Sequence, residues 1–221
     1  MKRTQEKRQG ILDAAAALLG EGGVERISMA DVSLRSSCSK TTVYGYFASM
    51  DVLLAALVEE ATERGVAAVQ AALAEHHSGI EATLEGFADA YLGYALSPQV
   101  CTLRRVLVAA AGRIELGPRW RDLGAARISA ALAACLRVQM DAGKLQRGDA
   151  HRAAQQCKAL LEAPWFERVL FDQGAGPGPG QVEQETQFAV AAFLRAWAPI
   201  SPPSRPRRPA RGARTLPPDV S

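Results

Sequence analysis

The stretch SMADVSLRSSCSKTTVYGYFASMDVLL, residues 28–54, decides how this chain is read. Ser28 followed by Asp31 has the form of a capping box: the hydroxyl accepts from a backbone N–H while the carboxylate reaches back to the cap. That box opens a helix of about two turns with Met29 and Val32 turned inward. Ser36, Ser37 and Cys38 are small and polar, which suits a turn. Ser39 caps a second short helix over Lys40–Phe47, with Val43 and Phe47 facing inward, and a third helix begins at Ser49. Two short helices crossing through a tight turn, the second led by small polar and basic residues, form a helix-turn-helix.

The second helix carries side chains that suit a DNA groove. Lys40, Thr41 and Thr42 supply an ammonium and two hydroxyls for base edges or phosphates. Tyr44 and Tyr46 offer phenolic hydroxyls on rigid rings, fit for phosphate oxygens at the groove edge. With the caps Ser28 and Ser39 they make the candidate DNA-contacting set. Short amphipathic helices with Ser, Thr and Tyr on the wet face are also common. Patterning alone therefore leaves a plain surface helix as open as a DNA reader.

Outward from this stretch the pattern stays helical. Ile11, Leu12, Ala15, Leu18 and Leu19 form one stripe, ended by Glu21-Gly22-Gly23. Leu53, Leu54, Leu57 and Val58 open a long helix that reaches toward His76-His77. Leu84, Phe87, Ala88, Tyr91 and Tyr94 line the next. Val100, Leu103, Leu107, Ala110 and Ile114 line another, started by Ser97-Pro98. After Gly117-Pro118, a stripe of Ile128, Leu132, Cys135 and Val138 closes near Gly143. Asp149 caps a further helix with Ala153, Cys157, Leu160 and Leu161 inside, continuing to Trp165 and Val169. Gln181–Trp197 completes about nine helices, and the fold expected is all-α. The Gly/Pro-rich run 174–180 is a connector. From Pro199 onward, seven prolines and five arginines predict a disordered tail over 199–221. The expected division is 1–50 for the helix-turn-helix domain and 51–198 for a larger helical domain.

Composition narrows the function classes. At 221 residues and 48% hydrophobic, the chain can bury a full core. No apolar run approaches the ~18 residues of a membrane span. The basic N-terminus leads into an amphipathic helix rather than an apolar signal core, so a cytoplasmic protein is expected. Cys38, Cys101, Cys135 and Cys157 are scattered without metal-ligand spacing, which fits reduced thiols. Seven Lys/Arg against five Asp/Glu in 1–50, and five Arg against one Asp in 201–221, leave the middle acidic despite a net charge of +3. Positive ends around an acidic centre fit a phosphate-contacting module on a body that avoids DNA, and equally fit ordinary charge scatter. His76-His77 and His151 make no standard metal spacing. No paired carboxylates or nucleophile–base constellation occurs, so neither catalysis nor a cofactor is expected.

The register of these residues resembles the TetR family of bacterial transcriptional regulators. Ile11 to Leu19, Gly23, Ser28, Val32, Ser39, Thr42, Val43, Tyr44, Tyr46, Phe47, Ser49 and Leu53 fall on its N-terminal signature without a gap. The departures are specific. Ser37 stands where the family has its turn glycine, so it would carry strain if a positive φ is kept. Cys38 replaces the apolar residue that follows. Ser33 and Ser36 replace a pair of packing alanines and need partners if buried. Met50 replaces a lysine that contacts phosphate in relatives. Lys2, Arg3, Lys7, Arg8 and Lys40 remain as basic groups.

The resemblance implies a ligand cavity among the middle helices and a dimer formed by the last two helices, pairing as a four-helix bundle. The C-terminal half is similar to the AefR-like subgroup. Candidate ligand-wall residues are Phe87, Tyr91, Leu107, Trp120 and Trp165, suggesting an apolar or aromatic ligand with few polar anchors. Candidate dimer residues are Leu161, Trp165, Phe188, Ala192 and Phe193, which on patterning alone could equally complete the core of one chain. The implied function is a dimeric regulator, a repressor in the family's usual mode, bound to a pseudo-palindromic operator and released by a small effector. The alternative, suggested by Ser37 and Met50, is a ligand-binding helical dimer whose specific DNA binding is weakened or lost.

Overall fold

The structure, a computed structural model, describes residues 2–22, 27–75, 79–109, 124–171 and 177–199. Those residues form ten helices and no strand: α1 (Lys2–Gly22), α2 (Met29–Arg35), α3 (Lys40–Tyr46), α4 (Met50–Ala74), α5 (Ile80–Ala95), α6 (Pro98–Ala109), α7 (Ala126–Asp141), α8 (Ala150–Glu162), α9 (Phe166–Phe171) and α10 (Gln181–Ala196). One helix more than the expected nine appears because the eighth stripe does not run through. Ala163 caps α8 and Pro164 follows. A proline lacks the N–H that would continue the ladder, so the chain turns and resumes as α9. Expectations for Ala110, Ile114, Gly117-Pro118, Trp120, His76-His77 and the 199–221 tail concern residues outside, or almost wholly outside, those described.

Side-chain caps set several helix starts. Asp149 accepts from the N–H groups of His151 and Arg152, which holds its carboxyl below the usual range. Gly143 (φ +71) follows α7 in the left-handed conformation that suits glycine. Two of the expected inward residues are not inward. Val138 is 62% exposed and Leu160 38%, while Leu136 and Met140 are buried instead. A period near 3.6 leaves border positions of a stripe ambiguous until the partner helix is placed.

Two apolar clusters form the core. One joins Ile11, Leu12, Val32, Val43 and Phe47 to Leu53–Ala61 of α4 and to Val100, Leu103 and Val106 of α6. The other joins Val66 and Val69 of α4 to α5, α7, α8, Trp165, Val169 and α10. The 25-residue α4 thus spans both, about 37 Å of continuous helix at 1.5 Å per residue. Tyr94 packs against both clusters. Its ring lies so close to Gly65 that a Cβ there would fall 2.5 Å from it. Glycine is required at that crossing because of the close approach, not because of backbone conformation. At the far end, the Trp197 indole donates to Gln156 Oε1 at 3.0 Å and its carbonyl accepts from Gln146 N–H at 2.8 Å, fixing α10 onto α8 and the turn after α7. No single described helix is long and apolar enough to cross a membrane.

Candidate DNA-binding helices and effector site

The turn between α2 and α3 is built from local hydrogen bonds. Ser28 Oγ accepts from Asp31 N–H at 3.2 Å, and Asp31 Oδ2 accepts from Ser28 N–H at 2.9 Å, which completes the capping box; the Ser28 hydroxyl, donating to the same carboxylate, and then the Ser28 N–H lower the Asp31 pKa. At the other end of α2, Cys38 N–H donates to Ser33 O and Ser37 N–H to Leu34 O, the paired bonds of a Schellman motif. That motif needs a left-handed residue between them, and Ser37 supplies it at φ +53. The two serines that replace packing alanines find partners: Ser33 Oγ donates to Cys38 O at 2.7 Å and Ser36 Oγ to Ser33 O at 3.4 Å.

Ser37 therefore stores strain that glycine would not. Ser37→Gly should raise stability by about 0.5–1 kcal/mol, the left-handed penalty less the extra freedom of the unfolded chain. Thermal unfolding would read this as a rise of about 2–3 °C. A fall would mean the solution turn does not keep a positive φ.

Ser39 caps α3, its Oγ accepting from Thr42 N–H at 3.1 Å and lying 2.8 Å from the Thr42 hydroxyl. Ser28, Ser39 and Thr42 hydroxyls are thus engaged in caps. Lys40, Thr41 and Tyr44 are exposed, and Tyr46 is half-buried against the N-terminal cluster. Lys40 and Tyr44, four residues apart, share a face of α3. Behind them Val43 and Phe47 are buried, and the Arg8 guanidinium stacks 5.5 Å from the Phe47 ring centroid. An Arg35–Glu21 ion pair at 2.7 Å ties α2 to the end of α1.

In the body, Phe87 and Tyr91 of α5 stack with centroids 5.6 Å apart and are almost wholly buried. Trp165 lies in the same cluster, while Leu107 packs against the N-terminal one. Around Tyr91 gathers a polar group that the sequence did not reveal. Its hydroxyl donates to Glu162 Oε1. Arg104 of α6 stands 3.5 Å from Glu162 Oε2. Lys158 lies 5.3 Å from the Tyr91 ring centroid and donates to Ser129 of α7 at 3.2 Å. Burial pushes Glu162 up to about 7 even beside Arg104, and burial, with help from the Arg104 charge, draws Lys158 down to about 8. The available signal was the i,i+4 spacing of Lys158 and Glu162, which ordinarily marks a solvated helix face. Burial also raises the Cys101 and Cys135 thiols, and Cys157 to about 12, opposite to the activation a reactive thiol needs.

Of the five candidate dimer residues, Leu161, Trp165 and Phe193 are consumed by the core of one chain. Phe188 is 62% exposed and Ala192 half-buried. Phe166 and Phe171 of α9 are also exposed. Among the described residues no cluster of three or more His, Cys, Asp or Glu could hold a metal ion.

A capped helix-turn-helix resting on a helical body with a polar-anchored apolar interior defines a helical transcription regulator. The profile of bacterial regulatory proteins of the tetR family matches residues 11–57, and that of the AefR-like transcriptional repressor C-terminal domain matches residues 82–199. The chain belongs to the TetR family of transcriptional regulators, with a DNA-binding helix-turn-helix at its N-terminal end. Its fold is similar to that of a protein from Mesorhizobium loti MAFF303099 described as a TetR-family regulator, with a TM-score of 0.80 and 24% identity over 89% of this chain and 98% of that one. A TetR-family regulator from Pseudomonas syringae pv. tomato DC3000 is similar at TM-score 0.70 and 24% identity, over 87% and 97% of the two chains. The flavonoid-responsive regulator FrrA is similar at TM-score 0.68 and 24% identity, over 89% and 100%. No curated protein matches the chain by sequence.

Proposed function

We propose that the protein is a ligand-responsive repressor, acting as a homodimer on a pseudo-palindromic operator and released by a small effector. Residues 1–50 serve as the DNA-reading unit and 51–198 as the effector-binding and dimerising body. The observation that carries this reading is α6. It contributes Val100, Leu103 and Val106 to the core under the DNA-binding helices and presents Arg104 to the buried cluster on Tyr91. An effector that shifts α6 shifts the platform of α1 and α4, and so the spacing of the two α3 helices across successive major grooves.

Lys40, Thr41 and Tyr44 are the groups on α3 free to meet DNA, with Thr42 and Tyr46 at its margins. Ser28 and Ser39 act by capping. The dimer face is assigned to α8–α10 with exposed Phe188 at its centre and Leu161, Trp165 and Phe193 as its supporting layer; Ala192 permits close helix approach. Phe87, Tyr91 and Trp165 line the effector site. The name of the FrrA relative supports an aromatic effector class.

Titration against duplexes from the gene's own upstream region at several salt concentrations tests the reading. Selective binding with a steep salt slope is expected, weakened by Tyr44→Ala and, less, by Thr42→Ala. Met50→Lys should strengthen binding at all sequences and steepen the slope of log K by about 0.9, one added phosphate contact. Flat, unselective binding indifferent to Tyr44→Ala would instead identify a helical ligand binder that has lost its operator.

A further inference from the structure

Four helices bring polar side chains to one partly desolvated place, and two of them bring charge. Tyr91 comes from α5, Arg104 from α6, Ser129 from α7, and Lys158 and Glu162 from α8. Among the described residues, two cations share a single carboxylate. Arg104 holds Glu162 at 3.5 Å, long for a charge-assisted bond, and among the described residues Lys158 meets the Ser129 hydroxyl and the Tyr91 ring face. Tyr91 is 2% exposed and stacks on the fully buried Phe87, so the packing beside these charges is aromatic. Trp165, three residues beyond Glu162, has a buried indole N–H with no acceptor among the described residues.

A desolvated site with surplus positive charge is unstable unless an anion completes it. We infer that the effector is a small aromatic acid whose carboxylate binds between Arg104 and Lys158, taking the Tyr91 hydroxyl from Glu162. This rests on the reading of the body as an effector domain and adds the chemical class of the ligand. Guanidinium and carboxylate geometry match in a bidentate pair, which Glu162, approached through one Nη1, does not use. The side chain of Glu162 is 28% exposed, so it has an outward path when the ligand carboxylate enters. The aromatic packing around Tyr91 then favours an aromatic acid over an inorganic anion.

Calorimetry and intrinsic tryptophan fluorescence on the full chain, without DNA, give the direct test. The probes are benzoate, salicylate and 2-naphthoate, each beside its neutral amide, with inorganic phosphate as a further arm. At least one acid should bind about tenfold or more tightly than its amide and than phosphate. Lys158→Met or Arg104→Met should erase that preference, and Glu162→Gln, which removes the competing carboxylate, should increase the acid's affinity. The acid–amide comparison on the unaltered chain stands even where a variant does not fold. Equal binding of acid and amide, binding of phosphate as tight as the acids, or no acid binding at about 1 mM overturns the inference. Release of operator by the bound acid is measured separately. An acid that binds through Arg104 and Lys158 without loosening DNA leaves the carboxylate site standing and removes the effector reading. An amide that releases operator does the reverse.

Discussion

Phe47→Ala should abolish operator binding while leaving the body folded and able to bind ligand. Phe47 is 2% exposed at the C-cap of α3 and packs in the N-terminal cluster with Val43 and the first half of α4. Truncating a buried phenylalanine costs about 3–5 kcal/mol, the transfer of the ring plus the cavity left behind. A helix of seven residues has no stability of its own, since the nucleation penalty exceeds what two turns return. The loss therefore falls on α3 rather than being absorbed. Arg8 loses the ring on which its guanidinium rests, so a basic group of α1 is released as well. The second cluster shares no side chain with Phe47. Circular dichroism should show loss of a few helical turns, and thermal unfolding a lowered first transition with the second retained. Operator affinity within about twofold of the parent would show that α3 is held by something other than this ring.

Stability should fall as pH rises from about 4.5 to 7, and Glu162→Gln should remove that fall. The folded-state pKa of Glu162 is raised from 4.5 to about 7 by burial. The folded chain then holds a proton that the unfolded chain releases earlier. Its stabilising effect is complete below about 4.5 and is lost as pH climbs through the folded value. A separation of this size corresponds to about 2–3 kcal/mol, allowing for the exposed part of the side chain. The groups touching the carboxyl are the Tyr91 hydroxyl and Arg104, with Lys158 one turn back on α8. Glutamine keeps an oxygen for the Tyr91 hydroxyl and carries no charge at any pH. A denaturant series across this window should therefore be sloped for the parent and flat for the variant. Equal slopes would place the carboxyl in water.

The helix-turn-helix was legible because its determinants lie within a few residues of one another. Ser28 with Asp31, Ser39 with Thr42, and the turn through Ser37 are closed by bonds spanning five residues or fewer. The strain expected at Ser37 and the partners required by Ser33 and Ser36 follow from the same short range. The break at Pro164 is also local, and the expected continuous helix to Val169 gave an apolar stripe more weight than the missing N–H.

Which face of an amphipathic helix meets which neighbour was not legible. Leu161, Trp165 and Phe193 point into their own chain and Phe188 does not, although all four sit on similar stripes. The Tyr91 cluster joins residues separated by 58 and 71 positions, and its members look like ordinary surface charges on their own helices. By itself the sequence determined an all-helical chain with a capped DNA-binding turn, because caps, turns and periodicity act over one or two helical turns. Only the tertiary structure decided which charges are desolvated together, because burial is a property of packed helices rather than of any one of them.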